Sequence, residues 1–167
     1  MGIPVTNPEL AGKDSVTYKK LRYFSITPRL QRLFMSPRIA EHMTWHQSGN
    51  HMMRLMVHPS NGETWKHFNS VHPHFSAELR NVHLGLCTDG FNLFGSFFAP
   101  YSCWSVILTV YNMPPGMCMR PKFMFLFTVI PGPSSPGWNI NVCLRSLIDE
   151  LAQLWSSRAL TYDISRK

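Results

Sequence analysis

The stretch from residue 80 onward contains the pattern that most restricts how this chain can fold. Three apolar runs of strand length lie at 82–88, 105–111 and 123–130, each bounded by Gly, Pro or Asn. After a Pro- and Gly-rich break at 131–137, apolar residues recur at helical spacing from residue 139 to residue 155. Because the gaps between the strands are of hairpin length, the pattern predicts a three-stranded antiparallel sheet followed by one amphipathic helix.

Two helix-start signals precede that pattern. Thr27 is followed by Pro28 and Ser36 by Pro37, the arrangement of an N-cap and a first-turn proline. Apolar residues fall on one helical face after each signal. We therefore expect two short basic helices here, and a further short helix within 62–70.

Composition restricts the number and kind of domains. With 167 residues, 44% hydrophobic and 15% charged, the chain can bury one core and is too short for two full domains. We expect residues 1–17 to form an unstructured N-terminal segment and residues 18–79 to form a basic helical region. We expect residues 80–167 to form the sheet and helix of an α+β fold. No apolar run approaches the roughly 20 residues of a membrane helix, so we expect no membrane span.

Basic residues are concentrated in the first part of the chain. The net charge is +7, and seven basic residues between 13 and 38 are opposed only by Asp14. This patch is interleaved with aromatic residues and suits a phosphate backbone, although a solvated helix face is the alternative. The residues expected to contact DNA are Lys19, Lys20, Arg22, Arg29 and Arg32.

The histidine and cysteine residues raise the question of a metal site. His42 and His46 are four residues apart, and His72 and His74 flank a proline, but no acid or cysteine completes a ligand set near either pair. We expect surface or helix-end positions for these histidines, with a structural zinc site as the less favoured alternative. The four cysteines form no CxxC pair and are expected to be buried, reduced thiols.

Asp89 is the most informative acid among only nine in the chain. It follows the first apolar run and precedes Gly90, the position in which a metal-dependent phosphoryl-transfer enzyme presents a carboxylate at a strand end. The alternative is a turn residue, since Asp-Gly is a common hairpin signal. One carboxylate does not by itself make a site.

Several motifs in order resemble one known family. They include Leu21-Arg22-Tyr23-Phe24, Trp65-Lys66-His67-Phe68, Asp89-Gly90-Phe91-Asn92, Tyr111-Asn112-Met113-Pro114-Pro115, Leu147-Ile148-Asp149-Glu150-Leu151 and Thr161-Tyr162-Asp163. Over roughly residues 18–165 the chain resembles the plant CACTA-type (En/Spm) transposases, from after their zinc-binding segment into the first part of the catalytic domain.

The resemblance implies a cut-and-paste DNA transposase with a partial ribonuclease H-like fold and a DDE-type site. In such a site, three acids hold two divalent ions, Mg²⁺ or Mn²⁺, that serve phosphodiester cleavage and strand transfer. By position, Asp89 matches the first catalytic acid and metal ligand. The implied partner is DNA at transposon ends, and the implied location is the nucleus.

The resemblance also predicts an incomplete site. The later catalytic acids of the family are expected downstream of this sequence, so the chain is expected to be inactive alone, or to rely on a partner chain for the rest of the domain. Asp163 is the only acid near a following strand, and Asp149 and Glu150 are expected in solvent-facing ion pairs. The alternative function is a non-catalytic DNA- or protein-binding module derived from a transposase.

Departures from the family pattern accumulate along the chain. Leu93, Ser105 and Gly116 occupy positions where the family usually has Pro, Pro and Trp. These changes are typical of a truncated or decaying reading frame derived from a transposable element.

Overall fold

The computed structural model describes residues 2–5, 19–48, 56–93 and 101–166, with the backbone alone for 2–5, 19 and 48. Within this part of the chain the α-helices are α1 (Thr27–Met35), α2 (Pro37–Ala40), α3 (Trp45–Ser48), α4 (Glu63–Val71), α5 (Pro73–Ser76), α6 (Pro115–Cys118) and α7 (Ile140–Ser157). The strands are β1 (Gly2–Val5), β2 (Lys19–Arg22), β3 (Leu84–Asn92), β4 (Ser102–Val110) and β5 (Met124–Ile130).

The main sheet has three antiparallel strands in the order β3-β4-β5, and α7 follows it. The predicted α+β arrangement is therefore confirmed. β4 is the central strand, and its apolar side chains Val106, Leu108 and Val110 are fully buried. The prediction of buried thiols is confirmed for Cys103, Cys118 and Cys143. It is wrong for Cys87, which is exposed because it lies on β3, a mostly exposed strand at the edge of the sheet.

A short segment after β2 lies against β5. The Phe24 N–H donates to the Phe127 carbonyl at 2.8 Å, and Tyr23 forms an isolated antiparallel bridge with Thr128. The buried Thr128 hydroxyl donates to the Arg22 carbonyl at 2.7 Å. These bonds occupy backbone groups on the edge of β5 that would otherwise be unpaired.

Helices begin at both of the helix-start signals described above. α1 begins at Thr27 and buries Leu30, Leu33 and Phe34, and α2 begins at Pro37 after Ser36. β2, however, places Lys19–Arg22 in a strand paired with β1. β1 itself falls within the segment expected to lack regular structure, whose residues 6–17 lie outside the described residues.

α7 begins at Ile140, within one residue of the predicted start. Its buried residues are Cys143, Ser146 and Leu147. Ile148 and Trp155, which the periodicity assigns to the apolar stripe, are 53% and 55% exposed. The predicted stripe is thus wider than the face that this helix buries.

The chain divides into two compact units. The first comprises 1–27, 86–107 and 126–159, and the second comprises 28–85, 108–125 and 160–167. Fully buried side chains include Ile26, Val106 and Phe127 in the first unit and Met43, Leu108 and Phe123 in the second. The expected divisions after residues 17 and 79 stay a prediction.

None of the described helices combines the length and the apolar character that crossing a membrane requires.

Candidate functional site

Asp89 lies within β3, not after it. It is the sixth residue of the strand, which continues to Asn92, and the Leu93 N–H still donates to the Tyr101 carbonyl at 3.1 Å. The prediction that the first strand ends at residue 88 is therefore wrong, because pairing with the next strand extends beyond the Asp-Gly pair. The Asp89 carboxylate is exposed, and its Oδ1 accepts the Gly90 N–H at 2.8 Å.

Two residues of β4 lie beside the Asp89-Gly90 pair. The Ser105 hydroxyl donates to the Asp89 carbonyl at 3.4 Å, so this departure from the family pattern contacts the backbone of the candidate residue. The Trp104 indole packs against Gly90, where an added Cβ would lie 2.8 Å from Cε2. Its buried Nε1 has no hydrogen-bond partner in the described part of the chain.

These surroundings do not complete a metal site. Mg²⁺ requires near-octahedral oxygen ligation, and a two-ion site requires several carboxylates. Among the described residues, no group of three or more His, Cys, Asp and Glu side chains could hold a metal ion. Asp89 is thus a single exposed carboxylate, and the described residues alone do not fit a divalent ion pair.

Asp163 is bound to protein groups through both oxygens. Oδ2 forms an ion pair with Arg80, and Oδ1 accepts the Ser165 N–H at 2.9 Å and the Ser165 hydroxyl at 2.6 Å. Burial raises the pKa of this carboxyl, but the bonds from Ser165 and Arg80 together lower it below its ordinary value. The carboxylate therefore holds the segment after α7 to the segment before β3.

The two acids of α7 have different roles. Asp149 is exposed and accepts from Arg145 Nε at 2.9 Å, which confirms the solvent-facing ion pair predicted for it. The same prediction for Glu150 is wrong, because its carboxylate bonds to the start of α1. Oε1 accepts the Thr27 N–H at 2.8 Å and the hydroxyls of Ser25 and Thr27 at 2.6 Å, and the Ile26 N–H at 3.0 Å.

The expected DNA-contacting residues fall into both units. Lys20 and Arg22 lie on β2 with exposed side chains, and of Lys19 only the backbone is described. Arg29 and Arg32 lie on α1. Arg32 is exposed, whereas the Arg29 guanidinium lies 5.9 Å from the centre of the Phe125 ring.

An aromatic and histidine cluster in the second unit was not predicted from the sequence. His83 stacks on Trp65 with ring centres 3.7 Å apart, and His46 lies 5.8 Å from His83. His46 is buried, so the predicted surface position is wrong for this residue. Burial, and secondly the charge of His46, lowers the pKa of His83 from 6.5 to about 4. These residues are widely separated in sequence, and no local spacing signals their contact.

The described geometry gives an exposed aspartate on a sheet edge and basic residues on β2 and α1. A family model described as transposase family tnp2 matches residues 53–167. This range contains the whole main sheet, Asp89, α7 and Asp163, whereas the basic residues of β2 and α1 precede it. The comparisons with curated proteins and with solved structures found no match. Since the matched residues make up more than half of the chain, it belongs to the transposase family tnp2.

Proposed function

We propose that this chain is part of a cut-and-paste DNA transposase of the CACTA (En/Spm) type, with a DDE-type site on a ribonuclease H-like domain. The family match over residues 53–167 carries this proposal. It is supported by the three-stranded sheet followed by α7 and by the exposure of Asp89 on β3. An exposed carboxylate on a sheet edge is accessible to a phosphodiester, which a buried one is not.

In this proposal Asp89 is the first catalytic acid and a ligand of Mg²⁺ or Mn²⁺. Hard divalent ions are commonly held by one or two carboxylates together with substrate phosphate oxygens. Because one carboxylate cannot hold two ions about 4 Å apart, this chain alone is expected not to cleave DNA. A partner chain or further segment would supply the remaining acids.

A Mn²⁺ titration tests the assignment of Asp89. Free Mn²⁺ would be followed by electron paramagnetic resonance for protein plus duplex DNA, with the signal of DNA alone subtracted. Asp89→Asn is expected to remove bound Mn²⁺ that the wild-type complex retains. The matched control is Asp149→Asn, which removes an exposed carboxylate paired only with Arg145. Equal Mn²⁺ uptake by wild type and Asp89→Asn would overturn the assignment.

A nicking assay on supercoiled DNA tests the expected inactivity. With Mg²⁺ or Mn²⁺, the wild-type chain and Asp89→Ala are both expected to leave the DNA intact. Nicking by the wild type that disappears in Asp89→Ala would show that this chain completes a site, and would contradict the expectation that it needs further acids.

DNA is the proposed partner, and the nucleus the proposed location. Lys20 and Arg22 on β2, and Arg29 and Arg32 on α1, are proposed to contact the phosphate backbone together with Lys19. Arg29→Gln combined with Arg32→Gln is expected to weaken duplex binding in a salt-dependent manner. Fluorescence anisotropy against KCl concentration measures this effect.

The alternative is a non-catalytic DNA- or protein-binding module. It is supported by the exposed basic side chains of Lys20, Arg22 and Arg32, which suit a phosphate backbone. This alternative predicts salt-sensitive DNA binding that survives Asp89→Ala, together with unchanged Mn²⁺ uptake in Asp89→Asn. Loss of Mn²⁺ uptake in Asp89→Asn would count against it.

A further inference from the structure

The second unit carries two exposed basic residues that lie far in sequence from the basic N-terminal part. Arg120 and Lys122 follow α6 and precede β5, and both side chains are exposed. We infer that Arg120 and Lys122 form one DNA phosphate-contacting surface with Arg29 and Arg32 of α1. This inference rests on the proposed DNA-binding function and adds two residues to its contact surface.

A ring contact brings the two basic segments together. The Arg29 guanidinium lies 5.9 Å from the centre of the Phe125 ring. Lys122 precedes Phe125 by only three residues, so about 11 Å of extended chain is the greatest separation of their Cα atoms. Arg29 and Lys122 therefore lie near each other in space, although about ninety positions separate them in the sequence.

Local contacts restrain both additional side chains. The Lys122 ammonium lies 4.7 Å from the centre of the Phe123 ring, and Phe123 is itself buried. Arg120 Nε donates to the Gly116 carbonyl at 2.7 Å, which leaves the other guanidinium nitrogens for an external acceptor. Restrained cations lose less conformational entropy on binding than freely rotating ones.

The ion pairs recorded among the described residues use other cations than Arg32, Arg120 and Lys122. Glu63 pairs with Lys66, and Glu78 and Asp163 both pair with Arg80. In the described residues, no carboxylate lies within ion-pair distance of Arg32, Arg120 or Lys122. The surface that contains these three residues is therefore positive, and it attracts a polyanion.

Duplex DNA is the polyanion that the chemistry favours. It carries one negative charge per ~1.7 Å of helix axis, so the cations of one surface can contact several phosphates of one duplex. Guanidinium groups also bind phosphate oxygens through two parallel hydrogen bonds. Such contacts would position the duplex and would not read its sequence.

The salt dependence of duplex binding tests this inference. The double variant Arg120→Gln with Lys122→Gln would be compared with the wild type by fluorescence anisotropy over a series of KCl concentrations. The slope of log K against log [KCl] is negative, and each lost phosphate contact reduces its magnitude by about 0.9, so the double variant is expected to reduce that magnitude by about 2. The matched control is Lys66→Gln with Arg145→Gln, which removes the same charge from two exposed, ion-paired residues.

The outcomes separate this inference from the proposed function. A slope of smaller magnitude in the test variant but not in the control supports it, provided that the two variants melt at similar temperatures. DNA binding by α1 is shown when the wild type binds duplex DNA and the Arg29→Gln, Arg32→Gln variant binds it more weakly. If that result is obtained but the test and control variants have equal slopes, the contribution of Arg120 and Lys122 is overturned and the DNA-binding proposal stands. If the wild type does not bind DNA, the DNA-binding proposal and the added surface both fail.

Discussion

Gly90 is the residue of β3 against which the Trp104 indole packs. The Cβ of any other residue at this position would lie only 2.8 Å from Cε2 of the indole. Gly90 lies within β3 and its backbone has an ordinary strand conformation, so glycine is not required there for a special backbone conformation. The glycine instead allows the indole to pack closely. The Asp-Gly pair by itself suggests a turn, but in the structure it lies within the sheet, and its glycine packs against Trp104.

Gly90→Ala is expected to destabilise the fold. The half-buried indole must shift to admit a methyl group, and overpacking of this kind costs about 1–3 kcal/mol of unfolding free energy. Urea denaturation followed by tryptophan fluorescence measures the change. Gly116→Ala is the control, because an added Cβ there meets no atom within 4 Å. Equal unfolding free energies for the two variants would show that the indole does not restrict position 90.

Arg158 ends α7 in a conformation that suits glycine. Its φ of 58° and ψ of 179° lie in a region that residues with a Cβ rarely adopt. Arg158→Gly is expected to raise the unfolding free energy by about 1 kcal/mol, because the strain disappears. Thermal melting by circular dichroism would show the increase. Arg145→Gly is expected to lower the melting temperature, since it puts glycine in the interior of the same helix.

At the scale of elements, α7 stabilises α1 through one side chain. The first N–H groups of a helix have no acceptor within the helix. At the start of α1 the Glu150 carboxylate accepts the N–H groups of Ile26 and Thr27 and the hydroxyls of Ser25 and Thr27. Burial raises the pKa of Glu150, but these hydrogen bonds together lower it below 4.5. The carboxylate thus acts as an N-cap supplied from a distant helix.

Glu150→Gln is expected to lower the unfolding free energy by about 1–2 kcal/mol near neutral pH. The amide keeps one acceptor oxygen but loses the negative charge that favours the helix N-terminus. The control Asp149→Asn breaks only the exposed pair with Arg145, which is worth about 0.3–0.5 kcal/mol. Chemical denaturation at pH 7 distinguishes them, and equal losses would contradict the capping role of Glu150.

For the whole molecule, acid is expected to lower stability in two stages. The pKa of His83 is about 4 in the folded chain against 6.5 ordinarily, so the unfolded chain takes up this proton first as pH falls. Stability from neutral His83 is therefore complete above pH 6.5 and is lost between pH 6.5 and about 4. The lowered pKa values of Glu150 and Asp163 remove further stability below their ordinary values of 4.5 and 3.8.

His83→Gln is expected to flatten the dependence of stability on pH between 6.5 and about 4. The variant lacks the titrating ring, although it also loses the stacking on Trp65 and is less stable at neutral pH. The slope against pH, rather than the absolute stability, is therefore the relevant measurement. His42→Gln is the control because His42 is exposed. An unchanged slope in His83→Gln would show that another group is responsible.

Local sequence patterns determined the elements and their order. Thr27-Pro28 starts α1, the Pro- and Gly-rich break precedes α7, and the apolar runs form the three strands of the sheet. These signals depend on backbone preferences and on neighbours within a few residues, which the sequence displays directly. Several motifs in order, among them Asp89-Gly90-Phe91-Asn92, likewise resemble a transposase, and the family match over residues 53–167 agrees.

Only the tertiary structure decided which distant side chains meet. Glu150 reaches Ile26 across 124 positions, and Arg80 reaches Asp163 across 83. The continuation of β3 past Asp89 depends on pairing with β4, and the burial of His46 depends on Trp65 and His83. Such contacts leave no periodic signal, because they arise from how elements pack and not from the preferences of adjacent residues.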